Sequence, residues 1–195
     1  MIYSEGYVYH IKDSYFNKVN DNKLMANKEN GNFRPTYYCF KDTQTSLLWV
    51  VPMSSKYKKY EKIFNNKVQK YGKCDTIILG EFDNVPAAFL IQNMFPITAK
   101  YLDHIHTRRN NPVPVNYKLR KEIYQSANRV LHLTRKGYNL VYPDILKLEQ
   151  IMLTEITPKT LVTKIQIAKQ KAQQYNSKQS RTPKKTKDHN LNNER

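Results

Sequence analysis

Leu47-Leu48-Trp49-Val50-Val51 is the most apolar run in the chain, and it runs directly into Pro52-Met53-Ser54-Ser55 and then a lysine-rich stretch. Such a run reads as a central strand of a sheet, buried on both faces. Past the two serines, Tyr57, Tyr60, Phe64, Val68 and Tyr71 step by three or four, the spacing of one helix face, and Gly72 supplies a C-terminal stop. Around this strand-to-helix junction the rest of the fold arranges itself. Gly6–Ile11 alternates like a strand, and Lys12-Asp13-Ser14 reads as a turn with a helix cap. Tyr37–Lys41 and Ser46–Met53 flank Asp42-Thr43-Gln44-Thr45 as a hairpin loop. Thr76–Leu79 and Ala87–Gln92 form a second pair joined through residues 80–86, and the run ends over Asn93–Ile97, where Pro96 favours a sheet edge or strand end. Helices follow: Leu119, Ile123, Ala127, Val130 and Thr134 up to Gly137, then Pro143-Asp144 opening a helix through Ile145, Leu148 and Met152. Residues 107–117 read as a loop. Strands early and helices late give α+β, with a small, barrel-like antiparallel sheet.

Charge divides the chain. Of a formal +17, residues 1–155 hold 23 basic and 14 acidic residues, a net +9, and residues 156–195 hold 10 basic and 2 acidic, a net +8. The sequence therefore predicts a domain over 1–155, an amphipathic helix over 156–176 on Leu161, Ile165, Ala168, Ala172 and Tyr175, and a basic, flexible tail over 177–195. A polyanion is the expected partner, although the tail alone is equally compatible with simple solvation. Two cysteines, Cys39 and Cys74, exclude a disulfide scaffold or a cysteine-built zinc site and are expected as thiols. No apolar run reaches the roughly 20 residues of a membrane span, and the first residues lack the order of a signal peptide, so a soluble cytoplasmic protein is expected.

Few chemistries fit. Five glycines leave no P-loop or dinucleotide fingerprint, and the acid-poor chain shows no carboxylate cluster for a two-metal nuclease. His104 and His106 are either a metal-binding pair or loop histidines facing solvent or RNA. The informative stretch is Ser54-Ser55-Lys56-Tyr57-Lys58. Hydroxyls and ammonium groups at a helix start, where amide N–H groups point outward, suit a phosphodiester; the alternative is an ordinary serine N-cap beside a solvated lysine face. Arg34, the only arginine before residue 108, offers a planar fork for phosphate, or is a plain surface arginine.

Four segments taken in order, Tyr7–Phe16, Gly31–Tyr38, Pro52–Tyr60 and Leu90–Ile97, resemble the ToxN/AbiQ family of type III toxin–antitoxin endoribonuclease toxins, closest to its CptN-like members. The resemblance covers about residues 1–155. It implies a compact, strongly curved antiparallel sheet related to the MazF/Kid-type barrel, with helices around it. It also implies metal-free, cofactor-free RNA cleavage, inhibition by a small RNA antitoxin folded as pseudoknot repeats, and assembly with that RNA into closed protein–RNA rings. On matching positions Ser55 falls on the essential serine, Ser54 on its neighbour and Tyr15 on a groove tyrosine. Many members place a lysine near Pro35; here Arg34 precedes the proline and Thr36 follows it. Lys56 and Lys58 share the role of the lysine after the serines.

Such cleavage uses the 2′-OH of the RNA as nucleophile, so the protein must align it, neutralise phosphorane charge and assist proton transfer. The expected catalytic set is Ser55, Ser54, Arg34, Lys56 and Tyr15. The expected RNA contacts are Lys58, Lys59, Lys62, Thr36, Tyr37, His10, Arg108 and Arg109, with Tyr15 and Tyr37 stacking on bases and His10 as an alternative general base. The substrate would be cellular or phage RNA. The competing class is a non-catalytic basic RNA- or DNA-binding protein.

Overall fold

The computed structural model describes residues 3–29, 31–157, 165, 167–173 and 175. The chain divides into Met1–Ile156 and Thr157–Arg195. In the second unit residues 165, 167–173 and 175 are helical; the tail expected over 177–195 lies outside the described residues.

The first unit runs β1 (Val8–Ile11), α1 (Asp13–Val19), β2 (Lys28–Glu29), β3 (Asn32–Phe33), β4 (Thr36–Lys41), β5 (Leu48–Ser54), α2 (Tyr57–Tyr71), β6 (Ile78–Phe82), β7 (Val85–Phe89), β8 (Phe95–Ile97), β9 (Leu102–Ile105), β10 (Thr107–Arg108), β11 (Asn111–Pro112), α3 (Tyr117–Arg135) and α4 (Ile145–Ile156). The main sheet is antiparallel in the order β6-β7-β5-β4-β1-β9. It is curved but open, ending at β6 and β9 rather than closing into a barrel.

β5 is the strand the apolar run predicts: all seven of its residues are buried. Its side chains alternate between two cores, Trp49, Val51 and Met53 in one and Leu48 and Val50 in the other. The first core is closed by Ile123, Ala127 and Val130 of α3, the second by Tyr15 of α1 and Leu148 and Met152 of α4. β4 pairs along one edge of β5. The other edge forks, Leu48–Val50 pairing with β8 and Met53–Ser54 with β7. Gly80 lets α3 approach the sheet edge, since a Cβ there would meet Leu119 at 2.6 Å.

The structure corrects several local expectations. Asp13 does not cap α1, whose N-cap is Lys12 without a side-chain bond; its carboxylate instead accepts from Asn27 and Lys28. The link between the second strand pair shrinks to Asp83-Asn84, both at positive φ (51° and 62°), the geometry of a two-residue hairpin turn. Arg109-Asn110 turns the same way (50° and 66°), so the expected loop over 107–117 contains the hairpin β10–β11. Both cysteines are free thiols. Among the described residues no helix is long and apolar enough to cross a membrane.

Candidate active site

β5 carries the serine pair to the fork. Ser54 is the last strand residue, opposite Ala88 of β7, and Ser55 is exposed beyond it. The N-cap of α2 is Lys56, again without a side-chain cap; Ser54 Oγ instead accepts the Lys56 amide at 3.2 Å. Neither serine is therefore the helix cap. Ser54 fixes the turn, and Ser55 lines a groove of about 440 Å³. Besides Ser54, Ser55 and Lys56, this groove is lined by Glu29, Arg34, Asp83, Pro86 and His106.

Arg34 reaches the groove from the link between β3 and β4, its side chain 10% exposed. Its Nε donates to Ala26 O (3.0 Å), Nη1 to Met53 O (3.3 Å) and Nη2 to Glu29 Oε2 (3.1 Å). The other Glu29 oxygen accepts from Lys56 Nζ. Lys56 first, and Arg34 after it, hold the Glu29 carboxyl below the usual range. Two cations thus share one carboxylate, and the local charge stays positive. A second surface depression shares Ser55, Lys56 and Pro86 with the groove and adds Lys58 and Lys59, so a basic track leads from the serines along the first turn of α2.

The remaining candidates are placed apart from one another. Lys62 is exposed further along α2. Thr36 is buried, its hydroxyl donating to Arg34 O at 3.3 Å, and it supports the arginine rather than facing a ligand. Arg108 donates to Asp83 at the groove, and Arg109 sits exposed in the β10–β11 turn. Tyr15 and Tyr37 are corrections, because neither offers a ring face to a base. Tyr15 is wholly buried, stacked on Phe95 with its hydroxyl donating to Pro96 O at 3.0 Å; burial pushes its pKa well up, which also removes it from proton transfer. Tyr37 packs edge-on to Phe89 in the core, where burial likewise raises it. Their hydroxyls made them read as surface groups; the core satisfies or encloses them.

The groove also contains residues that sequence reasoning did not place there. Glu29 and Asp83 were unassigned, and His106 had been paired with His104. In the structure His104 Nδ1 lies 2.9 Å from Asp103, whereas His106 lies beside Asp83. His10 meets Phe33 edge to face at 6.0 Å and stacks on His104 with ring centroids 4.4 Å apart. Burial, then His104 and His106, lower its pKa. The signal in the sequence was the position of His106, two residues after His104 and just past the edge strand β9.

No protein-family model matches the chain, and no curated protein matches its sequence. Solved structures do match its fold. One is AbiQ, a lactococcal anti-phage endoribonuclease of a type III toxin–antitoxin system, with a TM-score of 0.55 and 15% identity over 83% of this chain and 99% of that one. Another comes from work on bacterial type III systems in which a non-coding RNA pseudoknot selectively inhibits the toxin, with a TM-score of 0.59 and 14% identity over 80% of this chain and 100% of that one. The chain thus has the fold of these two structures, and its groove is built on the α+β frame they share.

Proposed function

We propose that the protein is the toxin of a type III toxin–antitoxin system, in the CptN-like branch of the ToxN/AbiQ family. It is a sequence-specific, metal-independent endoribonuclease held in check by a small RNA antitoxin whose pseudoknot repeats it cuts from their transcript, and with which it forms a closed protein–RNA assembly. The observation that carries this reading is the convergence of Ser55, Ser54, Arg34 and Lys56, from two segments distant in sequence, on one groove, within a fold shared with an endoribonuclease.

The geometry supports a role for each residue. Arg34, held by two carbonyls and one carboxylate, presents a pre-oriented guanidinium, and Lys56 adds a second positive charge; together they offset charge that grows on the phosphorane oxygens. Ser55 positions the scissile phosphate or the 2′-OH. Lys58 and Lys59 follow the strand out of the groove, with Lys62, Arg108 and Arg109 as outer contacts. The 2′-OH attacks phosphorus and the 5′ oxygen leaves, giving 2′,3′-cyclic phosphate and 5′-OH ends. Phage defence is the physiological use proposed for this cleavage.

Expression of Ser55→Ala tests the proposal. The wild type is expected to arrest bacterial growth and cut RNA in the presence of EDTA, leaving 5′-OH termini, whereas Ser55→Ala does neither. Discrete cleavage by Ser55→Ala, or salt-sensitive RNA binding by the wild type without any cut, would replace this reading with a different site or a non-catalytic binding protein.

A further inference from the structure

The cationic part of the groove holds one proton acceptor, the Glu29 carboxylate, but Lys56 and Arg34 occupy both its oxygens and hold it below its ordinary range, which weakens it as a base; a guanidinium and an ammonium are already protonated, and a serine hydroxyl is a weak base. His106 is a further acceptor, and the fold fixes it firmly. It follows β9, its amide donating to Val8 O at 2.8 Å and its carbonyl accepting from Val113 at 3.3 Å. Its ring lies 5.1 Å from that of Phe82, and Nε2 is 3.5 Å from Asp83 Oδ2. Asp83 is held in turn by its place in the β6–β7 turn and by Arg108 Nη1, which donates to Oδ1 at 3.1 Å. Both side chains are about a quarter exposed (26% and 25%), enough to reach a ligand yet shielded on one side.

An imidazole with a carboxylate on one nitrogen is the base-and-orienter arrangement of acid–base catalysis. A carboxylate beside Nε2 favours the tautomer with the proton on that nitrogen, which makes Nδ1 the basic one. The titratable and charged groups around His106 are Asp83 and Arg108 from the two hairpins, His10 of β1 at 6.3 Å, His104 of β9, and Glu29, Arg34 and Lys56 across the shared groove. Of the three neighbouring histidines, His10 has a buried Nδ1 with no hydrogen-bond partner, and His104 pairs with Asp103. Only His106 lines the groove.

We propose that His106 is a catalytic residue, the general base that activates the 2′-OH, with Asp83 as its positioning residue; this rests on the reading of the groove as a ribonuclease site. As the O2′–P bond forms, the 2′ proton passes to Nδ1. The P–O5′ bond breaks and O5′ takes a proton from water, and the hydroxide left behind removes the proton from the imidazolium, restoring the enzyme.

Single-turnover cleavage of a single-stranded RNA separates the possibilities. His106→Ala is expected to slow cleavage about 100- to 10,000-fold while binding a 2′-deoxy analogue, which cannot be cut, as the wild type does. Free imidazole is expected to restore part of the rate. His106→Gln, closer in size, should show the same loss with an unchanged melting temperature. Asp83→Asn should lower kcat with little change in KM. Wild-type cleavage by both His106 variants overturns the proposal and leaves the ribonuclease reading intact. A loss accompanied by weakened analogue binding and no imidazole rescue also overturns it, in favour of a structural role. Absence of any cleavage by the wild type removes the underlying reading itself.

Discussion

Arg135 and Arg34 both sit beside carboxylates, and their surroundings differ in which side is in surplus. Arg135, at the end of α3, donates to Asp42 of the β4–β5 loop (2.7 Å) and to Glu149 of α4. One cation there meets two carboxylates, both nearly buried, and three elements are tied together. Arg34 meets one carboxylate, Glu29, which Lys56 also claims. The first cluster has a surplus of acceptors and nothing left to offer an anion. The second has a surplus of donors opening onto a groove. Counting partners around an arginine therefore separates a structural tie from a cluster with donors to spare, the property the proposed RNA site needs, where the bare count of +17 does not.

Of the two clusters, the donor-rich one should give the larger effect on activity when broken. Arg34→Ala is expected to slow RNA cleavage about 100- to 1,000-fold, the cost of losing one pre-oriented donor to a developing oxyanion. Arg34→Lys should recover only part, since an ammonium keeps the charge but not the fork. In the acceptor-rich cluster, Arg135→Met should do the reverse: about 3 kcal/mol of stability lost by thermal or urea unfolding, because two buried carboxylates are left facing each other, with cleavage per folded molecule unchanged.

Acid sharpens the same contrast. Burial pushes the Asp42 carboxyl up, but Arg135 and the amides of Gln44 and Thr45 outweigh it and hold the group below its ordinary value. A carboxyl depressed in the folded state contributes its stability in full above about pH 4, and loses it as pH falls through the lower folded value. Melting temperatures should therefore drop on acidification in the wild type and less steeply in Arg135→Met.

The smallest effect belongs to the outer lysines. Lys58→Ala and Lys59→Ala should each weaken RNA binding evenly across sequences and lower the slope of log affinity against log salt by about 1. Lys58 also pairs with Glu61 at 3.1 Å, but an exposed i,i+3 pair contributes little to stability.

The central strand, the β4–β5 hairpin and helices α2, α3 and α4 were legible because each carries an unbroken apolar period ended by Gly, Asp or a polar loop. The edge of the sheet was not. β9 reads Leu102-Asp103-His104-Ile105, and its backbone pairing with β1 does not depend on an apolar pattern. His106 was lost with it, since its neighbours in the groove lie between Glu29 and Ala87, far back in the sequence. Ser54, Ser55 and Lys56 were legible as a motif. What Ser54 bonds and which nitrogen of His106 meets Asp83 are facts of packing. Tyr15 and Tyr37 failed in the opposite direction, since a hydroxyl count cannot reveal a carbonyl waiting inside the core.

The fork in the β5 pairing has a regulatory consequence. Ser55 follows directly on a strand paired on both edges and buried on both faces, so loosening its attachment means opening the centre of the molecule, at a cost close to that of global unfolding. A built-in latch has no slack to work with at that position. Restraint of the proposed enzyme is therefore best achieved from outside, by an occupant that fills the groove and leaves its geometry alone.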